Sequence, residues 1–330
     1  MKKSLITEIT IWILVCLLLS VGIIYGVQEG FGLEIFSREK RETGNSSMQY
    51  SAEYTQTVDS IDSLKISWLA GDVEIKKGSG KKIKITEYSS YEFSGDNELS
   101  LNVSSTVLNV SWNDTRLVYL DTVIPQLYEK NLVIEVPEKM SIDSITVNGV
   151  QSAVKLESLT AETISIDSSS DINIEGCKAA EIDLNTREGN ISGAGTTSEK
   201  LSVTAENGYV NFDNAVGAEA SIKNTTGDVV FTGEFTNLTI DSLKGSVTAA
   251  TTVSPNNVDI NTAEGVILLT TPDDTAADVT YSTLFGSFAT DFAEINAKSG
   301  TFSIGTGESG SIKNVITLKT TNGKITFSKG

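Results

Sequence analysis

The chain has 330 residues, a net charge of −18 and no histidine. That length is enough for one large or two ordinary domains, while the acidity opposes binding to nucleic acid, which depends on neutralising phosphates with Lys and Arg. The missing imidazole removes the usual general base and the commonest zinc ligand, so Ser-His-Asp and Cys-His catalysis are excluded.

Residues 1–8, with Lys2 and Lys3, read as a short cytoplasmic tail. Ile9 to Val27, "ITIWILVCLLLSVGIIYGV", carries no charge. As a helix its 19 residues span about 28 Å, the hydrocarbon thickness of a bilayer, so the segment is expected to be a single transmembrane anchor. A cleaved signal peptide would have a shorter apolar region and a small-x-small site, which "SVGIIYG" does not offer. A lipoprotein would carry Cys after a small residue near the end of the run, whereas Cys16 follows Val15 in the middle. Counting Lys and Arg on the two flanks gives a near tie. A short Lys-bearing tail stays in the cytosol, which puts the large C-terminal part outside the cytoplasm. Residues 28–48 are polar and aperiodic and read as a stalk.

Beyond residue 49 apolar alternation recurs and no sustained 3.6 period does, so the rest is expected to be all β. Residues 49–140 hold strands without a regular beat and many large aromatics, Trp68, Tyr88, Tyr91, Phe93, Trp112, Tyr119 and Tyr128 among them. They are expected to form an N-terminal β cap on the repeats of residues 141–330. Within them, "EIKKGSGKKIKI" gathers Lys76, Lys77, Lys81, Lys82 and Lys84 around a Gly-Ser-Gly turn. The plain reading is a solvated hairpin tip. The sharper one is a contact with anionic lipid head groups or wall polymers of the cell envelope.

From residue 141 a pattern of paired apolar residues on either side of a corner repeats about every 19 residues. In "SIKNTTGDVVFTG" the corner is Gly227. Equivalent corners fall at Ser152, Ser170, Gly189, Gly208, Gly245, Gly265, Gly286, Gly300 and Gly323, with an isolated copy at Gly71. A short polar residue precedes most of them: Ser67, Asn148, Asp167, Asn185, Thr204, Asp241, Asn261, Ser282 and Asn296. Such side chains can bond turn backbone, and stacked copies can bond one another. Two strands and two turns in this length make one rung of a parallel β-solenoid (β-helix). About ten rungs at roughly 4.8 Å each give a rod of about 45–50 Å. A meandering β-sandwich is the alternative, since its strand spacing is locally similar. Lys319, Lys324 and Lys329 in the last copy look like guards of an exposed sheet edge.

"LKISWLAGDVEI", then "LVIEVPEKM", then serial Gly-Asp/Asn/Tyr-Val/Ile corners resemble the bacterial adhesin-like toastrack family of β-strand repeats, over about residues 55–330. The resemblance implies a membrane-tethered or secreted β-solenoid, encoded beside envelope-stress and membrane-signalling proteins, with no established enzymatic activity and no defined site residues.

The residues themselves offer little chemistry. "TTGDVV" and "LAGDVE" lack the Gly-Lys-Ser/Thr of a phosphate loop, and a strand comes after each where a helix is needed. Asp171, Glu175, Glu181, Asp183, Asp273 and Asp274 could hold Ca²⁺ weakly but read as a solvated acidic face. Cys177 reads as a half-buried hydrophobe at a corner. No cofactor, metal site or catalytic residue is expected. The expected function is a non-enzymatic binding or scaffold module at the bacterial cell surface, with an envelope protein or wall polymer as partner. The alternative is the extracytoplasmic part of an envelope-stress signalling assembly, and a polysaccharide-acting enzyme comes last.

Overall fold

The computed structural model describes residues 48–57, 61–95, 97–113, 130–295, 297–305 and 314–330. The expected tail, anchor and stalk up to residue 47, together with Tyr119, Tyr128 and Asn296, lie outside the described residues. Ser46 to Gly330 form one unit.

Short alternating apolar runs broken by Gly, Asn, Asp and Ser produce strands. The first seven are β1 (Tyr50–Gln56), β2 (Ser63–Ala70), β3 (Val73–Gly78), β4 (Ile83–Ser89), β5 (Ser100–Ser104), β6 (Val107–Ser111) and β7 (Lys130–Pro137). Then come β8 (Ile142–Gln151), β9 (Val154–Glu157), β10 (Ala161–Ser168), β11 (Ile172–Glu175), β12 (Lys178–Thr186), β13 (Ile191–Ala194) and β14 (Thr197–Asn207). Two long strands come next, β15 (Val210–Thr226) and β16 (Val229–Lys244), each bending from one sheet into the other. The last are β17 (Val247–Thr251), β18 (Asn257–Glu264), β19 (Ile267–Thr271), β20 (Ala277–Thr283), β21 (Phe288–Thr290), β22 (Ser299–Ile304), β23 (Asn314–Asn322) and β24 (Ile325–Lys329).

The strands stack in two columns that face each other across one core. The front sheet runs β5–β6–β2–β8–β10–β12–β14–β15–β16–β18–β23–β20–β22. The back sheet runs β1–β4–β7–β3–β9–β11–β13–β15–β16–β17–β19–β24–β21. All neighbours are parallel except β5/β6, β1/β4, β4/β7 and β20/β22 at the two ends. The repeat is therefore a two-strand solenoid rung, as its period requires. The inward pairs form the core: Ile164/Ile166, Ile182/Leu184 and Leu201/Val203 in front, Val210/Phe212 and Val229/Phe231 behind, all buried.

Two features of the stack depart from the order of the sequence. The rung at Gly71, expected to stand alone, sits between β6/β7 and β8/β9, so the stack continues below residue 141. At the other end β23/β24 slides between β18/β19 and β20/β21. Lys319, Lys324 and Lys329 thus guard no sheet edge, because Lys319 and Lys329 lie in strands that are paired on both sides and Lys324 in the corner between them. The corner expected at Gly300 does not exist. Gly300 lies inside β22, which turns back antiparallel on β20 and covers the front of the last rung.

The corners explain the Gly-Asp-Val motif. Gly227 has φ +124°, and a Cβ there would overlap the carbonyl oxygen of Gly208 directly beneath it. The same carbonyl-over-glycine column continues through Gly245, Gly265, Gly323 and Gly286, in the spatial order of the rungs. The corner N–H groups climb this column: Gly208 donates to Thr226 O, Gly227 to Lys244 O, Gly245 to Glu264 O, each at 2.9 Å. The residue after the corner adds a side-chain ladder. Asp171 Oδ1 accepts from Asn190 N (2.8 Å), Asn190 Oδ1 from Tyr209 N (3.0 Å), and Asp228 Oδ1 from Ser246 N (2.8 Å).

The polar residue that ties each corner is one position later than expected. Asn148, Asp167 and Asp241 point outward. At five corners the residue one position later points inward and donates to the corner carbonyl of the adjoining rung: Ser168 to Ser152 O, Thr186 to Ser170 O, Asn224 to Gly208 O, Thr262 to Gly245 O, Thr320 to Gly265 O, whereas Ser242, after Asp241, is buried without such a bond. Buried hydroxyls and amides close to backbone oxygens satisfy what the turn leaves open. Outward copies do bond one another in one place, where Asn261 donates to Asp241 at 3.2 Å.

Both ends of the core are plugged. At the N-terminal end Trp68 and Trp112 meet edge to face at 5.2 Å, and Lys130, buried, pairs with buried Glu87 at 2.5 Å beneath them. At the C-terminal end Tyr281 stacks on Phe288 at 3.8 Å, with Phe302 against both. An open solenoid end would leave these apolar columns wet.

Candidate functional site

The lysine-rich stretch is not a hairpin. β3 and β4 do not pair; β7 lies between them, parallel to the first and antiparallel to the second. The Gly-Ser-Gly turn strides over the end of β7. The five lysines consequently divide. Lys76 and Lys84 face outward from strands, where Glu74 Oε1 holds Lys76 at 3.2 Å and Glu53 Oε2 holds Lys84 at 3.0 Å. The hydrogen bond and charge of Glu53 raise the Lys84 ammonium above its ordinary value. Glu135 stands opposite both lysines in the register of β7. Lys77, Lys81 and Lys82 belong instead to the turn edge, where Lys77 Nζ reaches Glu138 O at 3.5 Å and Lys81 and Lys82 are exposed. Lys139 joins them there. Its distance of more than fifty residues from the stretch hid it from sequence reading, and only the β3/β7 pairing brings it in.

The acidic residues singled out as weak Ca²⁺ candidates are dispersed. Asp171 is engaged in the corner ladder, Glu175 approaches Lys155 at 3.8 Å, and Glu181 pairs with Lys200 at 2.7 Å. Among the described residues no three His, Cys, Asp or Glu side chains gather as a metal ion would need. Cys177 is fully buried, not half-buried. It comes directly after Gly176, one of four left-handed residues (Ser158, Gly176, Gly195, Asn214) that make the second corner of successive rungs. The side chain after each turns into the core, and burial pushes the Cys177 thiol up.

What the stack presents outward is registered rows. On the front sheet Thr146, Ser165, Asp183, Ser202, Ser221 and Thr239 are consecutive partners. On the back sheet the row Asn211, Val230, Thr248, Leu268 and Thr326 carries apolar members, flanked by Tyr209 and Val266. Tyr209 is 51% exposed and Leu268 36%. Among the described residues no helix is long and apolar enough to cross a membrane.

This arrangement of tandem rungs has a counterpart among known proteins. The sequence profile of the Toastrack family (DUF4097) matches residues 61–328. The chain belongs to this family. A candidate adhesin from Parabacteroides distasonis matches the Toastrack chain with a TM-score of 0.50 at 10% identity, covering 85% of this chain and 97% of that one. Another, from Parabacteroides merdae, has a TM-score of 0.49 at 12% identity, covering 86% and 97%. The first likeness is one of fold. No curated protein sequence matches the chain.

Proposed function

We propose that this Toastrack protein is a membrane-anchored, non-enzymatic binding and scaffold module at the bacterial cell surface, held by the Ile9–Val27 segment with the Ser46–Gly330 unit outside the cytoplasm. The observation that carries the reading is the set of registered outward rows. The corner glycines pack on backbone, corner carboxylates such as Asp171 and Asp228 bond the next rung, and the inward hydroxyls are buried from any partner, so the outward rows are what remains for a partner to meet. The back sheet is the binding face, because Tyr209, Val230, Val266 and Leu268 expose apolar side chains there, and exposed apolar patches mark interaction sites. The structural neighbour from Parabacteroides distasonis, named as a candidate adhesin, supports the same class.

The test is photo-crosslinking in intact cells from single positions. Residues 230 and 268 are expected to yield an adduct with an envelope component that excess unlabelled protein competes away, while residue 202 on the front sheet yields none. Equal or absent adducts at all three positions would overturn the proposal.

A further inference from the structure

We infer that the basic turn edge at the N-terminal end of the stack rests on anionic lipid head groups of the membrane that holds the chain; the inference rests on the anchoring proposed above. In the β3/β7 pair Lys77 lies opposite Val136 and Gly78 opposite Pro137. The turns after both strands therefore leave along one edge, carrying Lys77, Lys81, Lys82 and Lys139 with them. Among the described residues, Lys81, Lys82 and Lys139 have no carboxylate partner, and the one acid within these turns is Glu138. The outward acids nearby, Glu135 and Glu157, belong to the back-sheet row of Lys76, and Glu157 pairs with Lys155.

Two further observations select the lipid surface. The chain carries a net charge of −18, so an anionic bilayer repels the molecule except where a local excess of cations leads the approach. The chain also enters the folded unit through β1, which pairs with β4 and so lies at the same end of the stack as β3 and β7. The stretch between residues 27 and 48 can extend to roughly 70 Å at most, ample for the edge to touch and short enough to raise its local concentration at the surface.

A lysine near an anionic surface is worth about a fivefold gain in apparent affinity. The full chain, with Cys16→Ser and an environment-sensitive probe on Ser79→Cys, is reconstituted in phosphatidylcholine vesicles with or without phosphatidylglycerol, and quenching by head-group-labelled lipid is read. Quenching is expected with phosphatidylglycerol only, lost on combining Lys77→Gln, Lys81→Gln, Lys82→Gln and Lys139→Gln, and absent from a probe on Phe285→Cys at the far end. Vesicle flotation separates the two readings. A chain that fails to float with phosphatidylcholine vesicles overturns the anchoring and the inference together. A chain that floats while its Ser79 probe ignores lipid charge, or ignores the four substitutions, overturns the inference alone. Binding of poly(glycerol phosphate) that the four substitutions abolish, with no quenching on phosphatidylglycerol vesicles, would assign the edge to wall polymer and likewise overturn it.

Discussion

Replacing Gly227 by Ala tests whether the corner glycines are demanded by geometry. The new Cβ would overlap Gly208 O and stand 2.7 Å from its carbonyl carbon, both of them backbone that no side-chain rotation can move aside. The φ of +124° adds strain for any L side chain, about 1–3 kcal/mol for a residue held in such a region. Relief requires the two rungs to part, weakening the Gly208 N–H to Thr226 O bond of 2.9 Å and the Asn224 amide bond to Gly208 O of 3.2 Å. Each such bond is worth about 1 kcal/mol net. The sum is a loss of about 3–5 kcal/mol, measured as a drop in the urea midpoint, with faster hydrogen exchange of the Gly208 and Gly227 amides. Gly80→Ala is the control: its Cβ meets only ordinary contacts at 3.5 Å or beyond, and it should change stability by less than about 0.5 kcal/mol. Equal stability of the two variants would refute the steric column.

Asp228→Ala removes the acceptor for Ser246 N (2.8 Å) and should cost about 1 kcal/mol, while Asp228→Asn, which keeps an Oδ1, should restore most of it in the same denaturation assay. Lys130→Met strands the buried Glu87 carboxylate and should cost about 3–5 kcal/mol, read as a lower unfolding temperature. Burial pushes Glu87 above the ordinary glutamate value of 4.5, more than Lys130 pulls it down. Its stabilising share is therefore complete below pH 4.5 and fades as pH rises through the folded value. The stability of wild type relative to Glu87→Gln should fall from acid to neutral pH, and the opposite slope would mean that Lys130 outweighs burial. Cys177 should resist thiol reagents until the chain unfolds, and native labelling detected by peptide mapping would contradict its burial.

Much of the solenoid was legible because a β rung must repeat its inward apolar pairs. Ile182/Leu184 and Leu201/Val203 announce their strands, and Gly208, Gly227 and Gly245 announce the corner. Spatial order was not legible, because nothing local in "NVITLKTTNGKITFSK" distinguishes a rung that ends the stack from one that inserts into it. Gly300 misled for a related reason: an antiparallel return such as β22 shows the same alternation as a rung. The second corner was hidden in a column of mixed residues, Ser158, Gly176, Gly195 and Asn214, that share a left-handed φ and little else. In the lysine cluster the charges were visible in sequence. Which of them the folded chain pairs, and that Lys139 joins the rest, depends on β7 standing between β3 and β4.

The stacking of β24 on β19 decides the architecture on which both functional readings stand. Thr270 and Ser328 are neighbours there, their hydroxyls 3.1 Å apart, and adjacent parallel strands lie about 4.8 Å from one another, within disulfide range. In a Cys16→Ser background, Thr270→Cys with Ser328→Cys should oxidise to an intramolecular disulfide in the native protein. Thr270→Cys with Asp291→Cys, two rungs apart at about 10 Å, should not. A disulfide in the second pair and none in the first would mean that the rungs keep the order of the sequence, and would contradict the account.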